Sequence, residues 1–446
     1  MPSCLSRIAA AFALTTLLAC SSGGDNTAPT DPENPGTPPP EDPQPPAPPP
    51  AAGAFPTIAY VRGGEIRGIE PDGSGDRSLW TAPQAGHGYT VSSLAWRPDG
   101  GELAFASDHE AAISFYERDL YAIRGDGQEL RKVTNAPAYE LLASRPTGSV
   151  AVTVENFTSD PGPWFIYVSG AAEPQQTTID PGGSARLTFT DVADLGGVVQ
   201  RAVAINGANR WFGDAQTDVR PGETADAGTL LITPAGGVPN YGADGVAWRA
   251  DGSRLAFFAS PTCDLKHISS AGSAPMDLGT PLLDPDIFGS PCGYDWGPTA
   301  ATADQLILAD DDRFVSTGET DFYLVSENDA ARPAPFTTFG DYVRLVDLHW
   351  LPDGSGFIVA RTTALLDDSV NLFEFQFATG ELRQITSFSG SFARRFSISP
   401  DGQWIVLEKV TALDGPADLY IIGRDGSGER LLVRDAGIPA WRPAGS

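Results

Sequence analysis

The sequence predicts an all-β chain, a six-bladed β-propeller carrying one small inserted β-sandwich, set behind a signal peptide and a Pro-rich linker. Three observations predict it. A short apolar run ending in tryptophan, a Pro-Asp-Gly turn and a second apolar run recur along the chain. A third run opening on Asp or Asn follows at Asp119, Asp321, Asn371 and Asp418, with a Gly/Asp-rich turn after the first and the last of these. Between Trp96 and Trp248 lies far more chain than one such unit needs, so another module is inserted there.

The order begins with residues 1–19, read as a signal peptide. Arg7 supplies its positive end, and the apolar stretch from Ile8 is too short to span a bilayer as a stable anchor. It ends in Leu17-Leu18-Ala19-Cys20, which resembles the lipobox of bacterial lipoproteins. That resemblance implies cleavage before Cys20, lipidation of its thiol and, with Ser21 and Ser22 rather than aspartate following, an outer-membrane address. Residues 20–54 then read as lipidated cysteine and extended linker. Pro38-Pro39-Pro40 and Pro48-Pro49-Pro50 stand among acidic and small residues with almost nothing apolar to bury.

Residues 55–142 hold the first two blades. Thr57–Val61 and Glu65–Ile69 read as strands, followed by Pro71-Asp72-Gly73. The first complete unit runs through Trp96, Pro98-Asp99-Gly100, Leu103–Phe105 and Asp119–Ile123. Proline presets the first corner of the turn, aspartate bonds local backbone, and glycine accepts a positive φ. Residues 235–446 hold four more units, marked by Trp248 with Asp251-Gly252, by Trp296, by Trp350 with Pro352-Asp353-Gly354, and by Pro400-Asp401-Gly402. At about 45 residues and four short strands, each unit has the size of a propeller blade. One blade cannot bury both its faces, whereas neighbours around an axis can. The first unit lacks a tryptophan strand and the chain finishes with Ala440-Trp441-Arg442-Pro443, so that strand is expected to complete the first blade. These motif residues are read as structural, with the tryptophans packed between blades.

The W-x-P-D-G hairpin followed by D-L-Y and D-G-S resembles the TolB-type propeller repeat of bacterial envelope proteins, over about 55–135 and 240–446. The resemblance implies six blades; Leu141–Val154, with Arg145-Pro146-Thr147-Gly148, reads alternatively as a seventh. Residues 143–234 are read as the inserted β-sandwich, because Val150–Val154, Trp164–Val168, Ala185–Phe189, Ala202–Ile205 and Thr229–Ile232 alternate apolar and polar residues between Pro-Gly turns. Its closing stretch around Arg220-Pro221-Gly222 resembles carboxypeptidase-regulatory or transthyretin-like modules, which implies binding or spacing.

Composition narrows the function. The formal charge is -28, from 29 Lys+Arg against 57 Asp+Glu, which disfavours nucleic acid and leaves the lipid anchor as the contact with membrane. His87, His109, His267 and His349 stand apart in sequence, without metal-ligand spacing, and read as isolated surface or hydrogen-bonded side chains. There is no G-x-S-x-G nucleophile elbow. Asp310-Asp311-Asp312 and Asp367-Asp368 lack the spacing of a calcium loop and read as solvated blade edges, so neither metal nor cofactor is expected. Cys263 and Cys292, left once Cys4 is removed and Cys20 lipidated, are expected to pair as a disulfide across a long blade loop in an oxidising compartment. The expected function is non-enzymatic: a scaffold for envelope proteins in the periplasm or at the cell surface. A small-molecule or glycan binder using the central funnel is the alternative, and a hydrolase or lyase the third. A channel cluster of His, Arg and carboxylates is the feature that would favour an enzyme.

Overall fold

The computed structural model describes residues 55–446 apart from 83–89, 111–115, 137–143, 169, 172, 195–201, 207–208, 213–218, 235–237, 240, 261–263, 274–278, 284–292, 312–318, 328, 330, 341–344, 364–368, 413–414 and 445–446. All named secondary-structure elements among the described residues are strands.

The recurring turn has one geometry. Gly100, Gly252, Gly354 and Gly402 each donate their N–H to the carbonyl three residues back, at 2.8, 2.8, 2.9 and 2.8 Å. Their φ values are 70°, 68°, 74° and 68°, the region where a Cβ is costly. Asp99, Asp251, Asp353 and Asp401 each accept the N–H two residues on, at 2.9, 2.9, 2.9 and 3.0 Å. Ala250 replaces proline in the third unit without changing these bonds, so aspartate and glycine set the turn and proline only presets it.

Among the described residues six four-stranded antiparallel blades result, the second and third also joined by a short parallel pairing of Tyr241 with Tyr116 and Gly242 with Arg118. From inner to outer strand, the second is Val91–Trp96, Glu102–Ser107, Tyr116–Arg124 and Arg131–Lys132. The third is Tyr241–Trp248, Arg254–Ser260, Asp264–Ser269 and Thr280–Pro281. The fourth is Gly293–Trp296, Gln305–Asp311, Thr320–Ser326 and Thr337–Phe339. The fifth is Leu345–Trp350, Gly356–Arg361, Asn371–Gln376 and Glu381–Gln384. The sixth is Phe392–Ile398, Trp404–Val410, Asp418–Gly423 and Arg430–Val433. The first is assembled from both ends of the described chain. Its inner strand is Gly437–Trp441, paired to Ile58–Arg62 with Trp441 opposite Ile58 and Ala440 opposite Ala59. Glu65–Ile69 and Arg77–Trp80 complete it. The inner strands lie side by side in the order first to sixth and back to the first, which closes the ring.

The segment between Cys263 and Cys292 corrects the sequence reading. It is not one long loop: it contains the third and outer strands of the third blade, Asp264–Ser269 and Thr280–Pro281. Leu265 and Ile268 are buried there, but Lys266 stands where other units carry Tyr or Phe, which hid the strand. Cys263, Cys292 and Cys20 lie outside the described residues.

The insert forms two sheets. Ser184–Ala193, Thr147–Asn156 and Thr224–Ile232 make one, with the last two strands parallel. Gln175–Thr177, Trp164–Val168, Ala202–Asn206, Asn209–Phe212 and Val238–Pro239 make the other, so its pairing runs past residue 234. Val150, Val152, Val154, Trp164, Ile166 and Leu230 belong to a single core drawn wholly from the insert. Alternation in Thr147–Asn156 puts Val150, Val152 and Val154 into that core, which accounts for the stretch also readable as a seventh blade.

Candidate functional site

An inner strand has one edge paired to its own blade, and the other faces the axis and the neighbouring blade. Its free N–H groups need acceptors, and side chains of the preceding blade supply several of them. Ser93 Oγ accepts from Val246 N (3.4 Å), Asp295 Oδ2 from Trp350 N (2.9 Å), Asp347 Oδ2 from Phe396 N (3.1 Å) and Ser397 Oγ from Trp441 N (2.9 Å). The indole N–H groups add a second row. Trp96 donates to Ala440 O (3.1 Å), Trp248 to Ala95 O (3.0 Å) and Trp350 to Asp295 O (3.1 Å), each acceptor immediately preceding the equivalent tryptophan of the blade before. Arg97 lies 5.9 Å from the Trp248 ring and Arg249 5.9 Å from the Trp296 ring, so an arginine of one blade covers the tryptophan of the next. The Tyr294 hydroxyl donates to Gly245 O, and burial pushes its pKa well above the ordinary value, so it keeps the proton that it donates.

His349 sits in this seam and is not isolated. Its Nδ1 is 3.5 Å from Asp295 Oδ2 and its Nε2 3.4 Å from Asp347 Oδ2, while the ring packs edge-on against Phe396 at 5.0 Å. Burial opposes the charged ring, but the Asp347 and Asp295 carboxylates outweigh it and raise the pKa to about 10. At neutral pH this is an imidazolium clamped between two carboxylates. Asp295 also accepts its own strand's Trp296 N–H (2.9 Å), and Asp347 accepts the Leu348 N–H (3.0 Å). The trio therefore ties the fourth, fifth and sixth blades together, and its histidine is protonated where a general base must be neutral.

Two more groups complete the inner wall. Asp244 accepts from Ser92 Oγ (2.9 Å) and Gly245 N (2.8 Å) and pairs with Arg118 at 3.4 Å. The sixth inner strand carries Arg394 and Arg395 at a register break, which aims them apart. Arg394 meets buried Glu408 at 2.6 Å; Arg395 reaches Ser92 O on the second blade. The cluster of His, Arg and carboxylates that would favour an enzyme is thus present, but its carboxylates are spent on backbone donors and cations.

Away from the axis, Lys132 is buried between Glu110 (2.6 Å) and Asp119 (2.9 Å). Glu374 is held by Arg424 through both oxygens, at 2.9 and 2.7 Å, and by Arg383 at 2.7 Å. Burial works against the Glu374 anion, yet these arginines and Gln376 hold its pKa down to about 2. His267 is shifted down by burial and by Arg254, and His109 bonds Ser107 Oγ at 2.9 Å. Asp310 pairs with Arg332, while Asp367 and Asp368 lie outside the described residues. Among the described residues no group of three His, Cys, Asp or Glu side chains is arranged to hold a metal ion.

The two clamps respond to opposite ends of the pH scale. A histidine whose folded pKa is raised stabilises fully below its unfolded value near 6.5, and that contribution fades as pH rises towards 10. Glu374, depressed from 4.5, stabilises above 4.5 and loses its contribution as pH falls towards 2. His349 is 38% exposed in its side chain, so solvent screening reduces its share to about 1 kcal/mol or less. His349→Gln is expected to lower the melting temperature by about 2 °C at pH 6, and by less at pH 10.5, in paired calorimetric scans.

No protein-family model matches the chain, and no curated protein does. Solved structures do. TolB from Acinetobacter baumannii is similar over 86% of this chain, at 13% identity and a TM-score of 0.47; the chain spans 66% of that structure's length. The strand pairing itself makes the fold a β-propeller. A nidogen/laminin complex is similar over 86% of this chain and 97% of that one (8% identity, TM-score 0.45). An oligogalacturonate lyase in complex with manganese is similar over 84% of each chain (12% identity, TM-score 0.39). Likenesses this distant carry no role over to this chain, so what the ring does rests on its own surfaces.

Proposed function

We propose that this chain is a non-enzymatic envelope lipoprotein, tethered to the outer membrane through Cys20, whose propeller holds protein partners on one face in the periplasm or at the cell surface. One observation carries the reading. Strands alternate in direction within each blade, so the Pro-Asp-Gly turns and the turns before the outer strands share one face. The connections between second and third strands, and those from one blade to the next, emerge on the other. The insert is such a blade-to-blade connection, joining Arg131–Lys132 to Tyr241–Trp248. The chain leaves Ser107 and Arg361 on that same face, and the sequence between second and third strands there differs in length and residues from blade to blade. A rigid ring with regular turns on one side and varied segments plus a whole module on the other presents that second side for recognition. The seam supports a structural role for the axis: its imidazolium is already paired twice.

Photo-crosslinking amino acids placed in living cells test this. Thr363 and Thr411 are exposed on the varied face, Asp99 and Asp353 on the turn face. Discrete protein adducts are expected from the first pair. Adducts from the second pair alone, or from neither, contradict the proposal. Cys20→Ala should shift the same adducted protein out of the membrane fraction; retention after a high-salt wash argues against the anchor.

A further inference from the structure

Arg395 stands out among the cations of the inner wall. Arg118 has Asp244 and Arg394 has Glu408, each within ion-pair distance. Arg395 has no carboxylate partner among the described residues; its bond goes to a backbone carbonyl, that of Ser92. The first blade separates the sixth from the second, so this side chain crosses the space enclosed by the inner strands. The inner-wall carboxylates described above are committed. Asp244 is taken by Ser92, Gly245 and Arg118, Asp295 by Trp296, Trp350 and His349, and Asp347 by Leu348, Phe396 and His349.

We infer that Arg395 is the recognition residue of a carboxylate-binding site in the central channel, closed in the free protein by its own contact with Ser92. A guanidinium offers a planar fork of five donors, of which one carbonyl uses a single donor. The Arg395 side chain is half-buried, so its remaining donors are only partly served by water. A ligand carboxylate entering the channel replaces the neutral acceptor with a charged, bidentate one, and charge-assisted pairs are roughly twice as strong as neutral ones. The bulge in Phe392–Ile398 makes this possible: it frees Arg395 for the axis while Arg394, and not Arg395, pairs with Glu408. The ligand's carboxylate belongs either to a peptide C-terminus or to a sugar acid.

Titration calorimetry on the full chain separates these. The probes are N-acetyl-trialanine and its C-terminal amide, then glucuronate and glucose. At least one carboxylate probe is expected to bind about tenfold or more tightly than its neutral control. Which one does so names the source. Arg395→Gln should remove that preference, and Arg395→Lys, which keeps the charge but not the fork, should retain part of it. Arg361→Gln, at a cation stacked 4.8 Å from the Phe339 ring and 4.4 Å from the Phe373 ring at a blade edge, should leave binding unchanged. Equal binding of charged and neutral probes, no binding of either carboxylate, or full affinity in a folded Arg395→Gln protein overturns the inference. In the last case a lowered melting temperature would make the Ser92 contact a structural bolt.

Discussion

A chain ended after Asp435 is expected to lose cooperative unfolding altogether. The truncation removes the inner strand of the first blade, and with it the partner of Ile58, Ala59 and Val61. Ile58 and Tyr60, fully buried, belong to the same core as Trp441 and lose its cover. The damage extends to both neighbours. Trp96 loses the Ala440 carbonyl, Ser397 loses the Trp441 N–H, and buried Glu408 loses the Ile438 N–H. The missing tryptophan alone is worth about 3–5 kcal/mol. Adding strand pairing and the two interfaces exhausts the roughly 5–15 kcal/mol that holds a typical domain together. Circular dichroism during a urea titration should show a broad, sloping loss of signal. An unchanged sharp transition would mean that the last strand is an ornament.

Trp350→Ala is expected to cost about 3–5 kcal/mol, the largest effect of a single substitution in the ring. Trp350 is 5% exposed and packs with Phe357, Phe375 and Leu348 in the core between the fourth and fifth blades. Truncation leaves a cavity and also strands the Asp295 carbonyl that the indole serves. Trp350→Phe separates the two losses, because it keeps most of the packing and removes the bond. Trp296 supplies the contrast, since its indole nitrogen is buried without a hydrogen-bond partner. Trp296→Phe should therefore cost less than Trp350→Phe in denaturant midpoints, and the reverse order would remove the indole bond from the account.

What the sequence made legible was whatever repeats. Aspartate and glycine of the turn must recur because each blade needs the same reversal, and Trp96, Trp248, Trp296, Trp350 and Trp441 recur because each blade must seal against the last. The strand hidden between Cys263 and Cys292 failed the pattern at its aromatic position, where Lys266 stands. The axial seam was invisible for another reason. Asp295 and Asp347 lie one and three residues before their tryptophans, so alignment of the units does not pair them, and they meet His349 only when three blades are docked. Arg395 was unreadable in the same way: its polar partner among the described residues lies on a blade that is not even its neighbour.

The closed ring, on which the rigid presentation of the varied face depends, is tested most directly by native-state hydrogen exchange of Gly437–Trp441. If this strand is integral, its protected amides should exchange only with global unfolding, as slowly as those of Trp404–Val410 in the sixth blade and in the same cooperative step. If the amides of Gly437–Trp441 exchange by local fraying while Trp404–Val410 stays protected, the ring is not closed by this strand and the account is wrong.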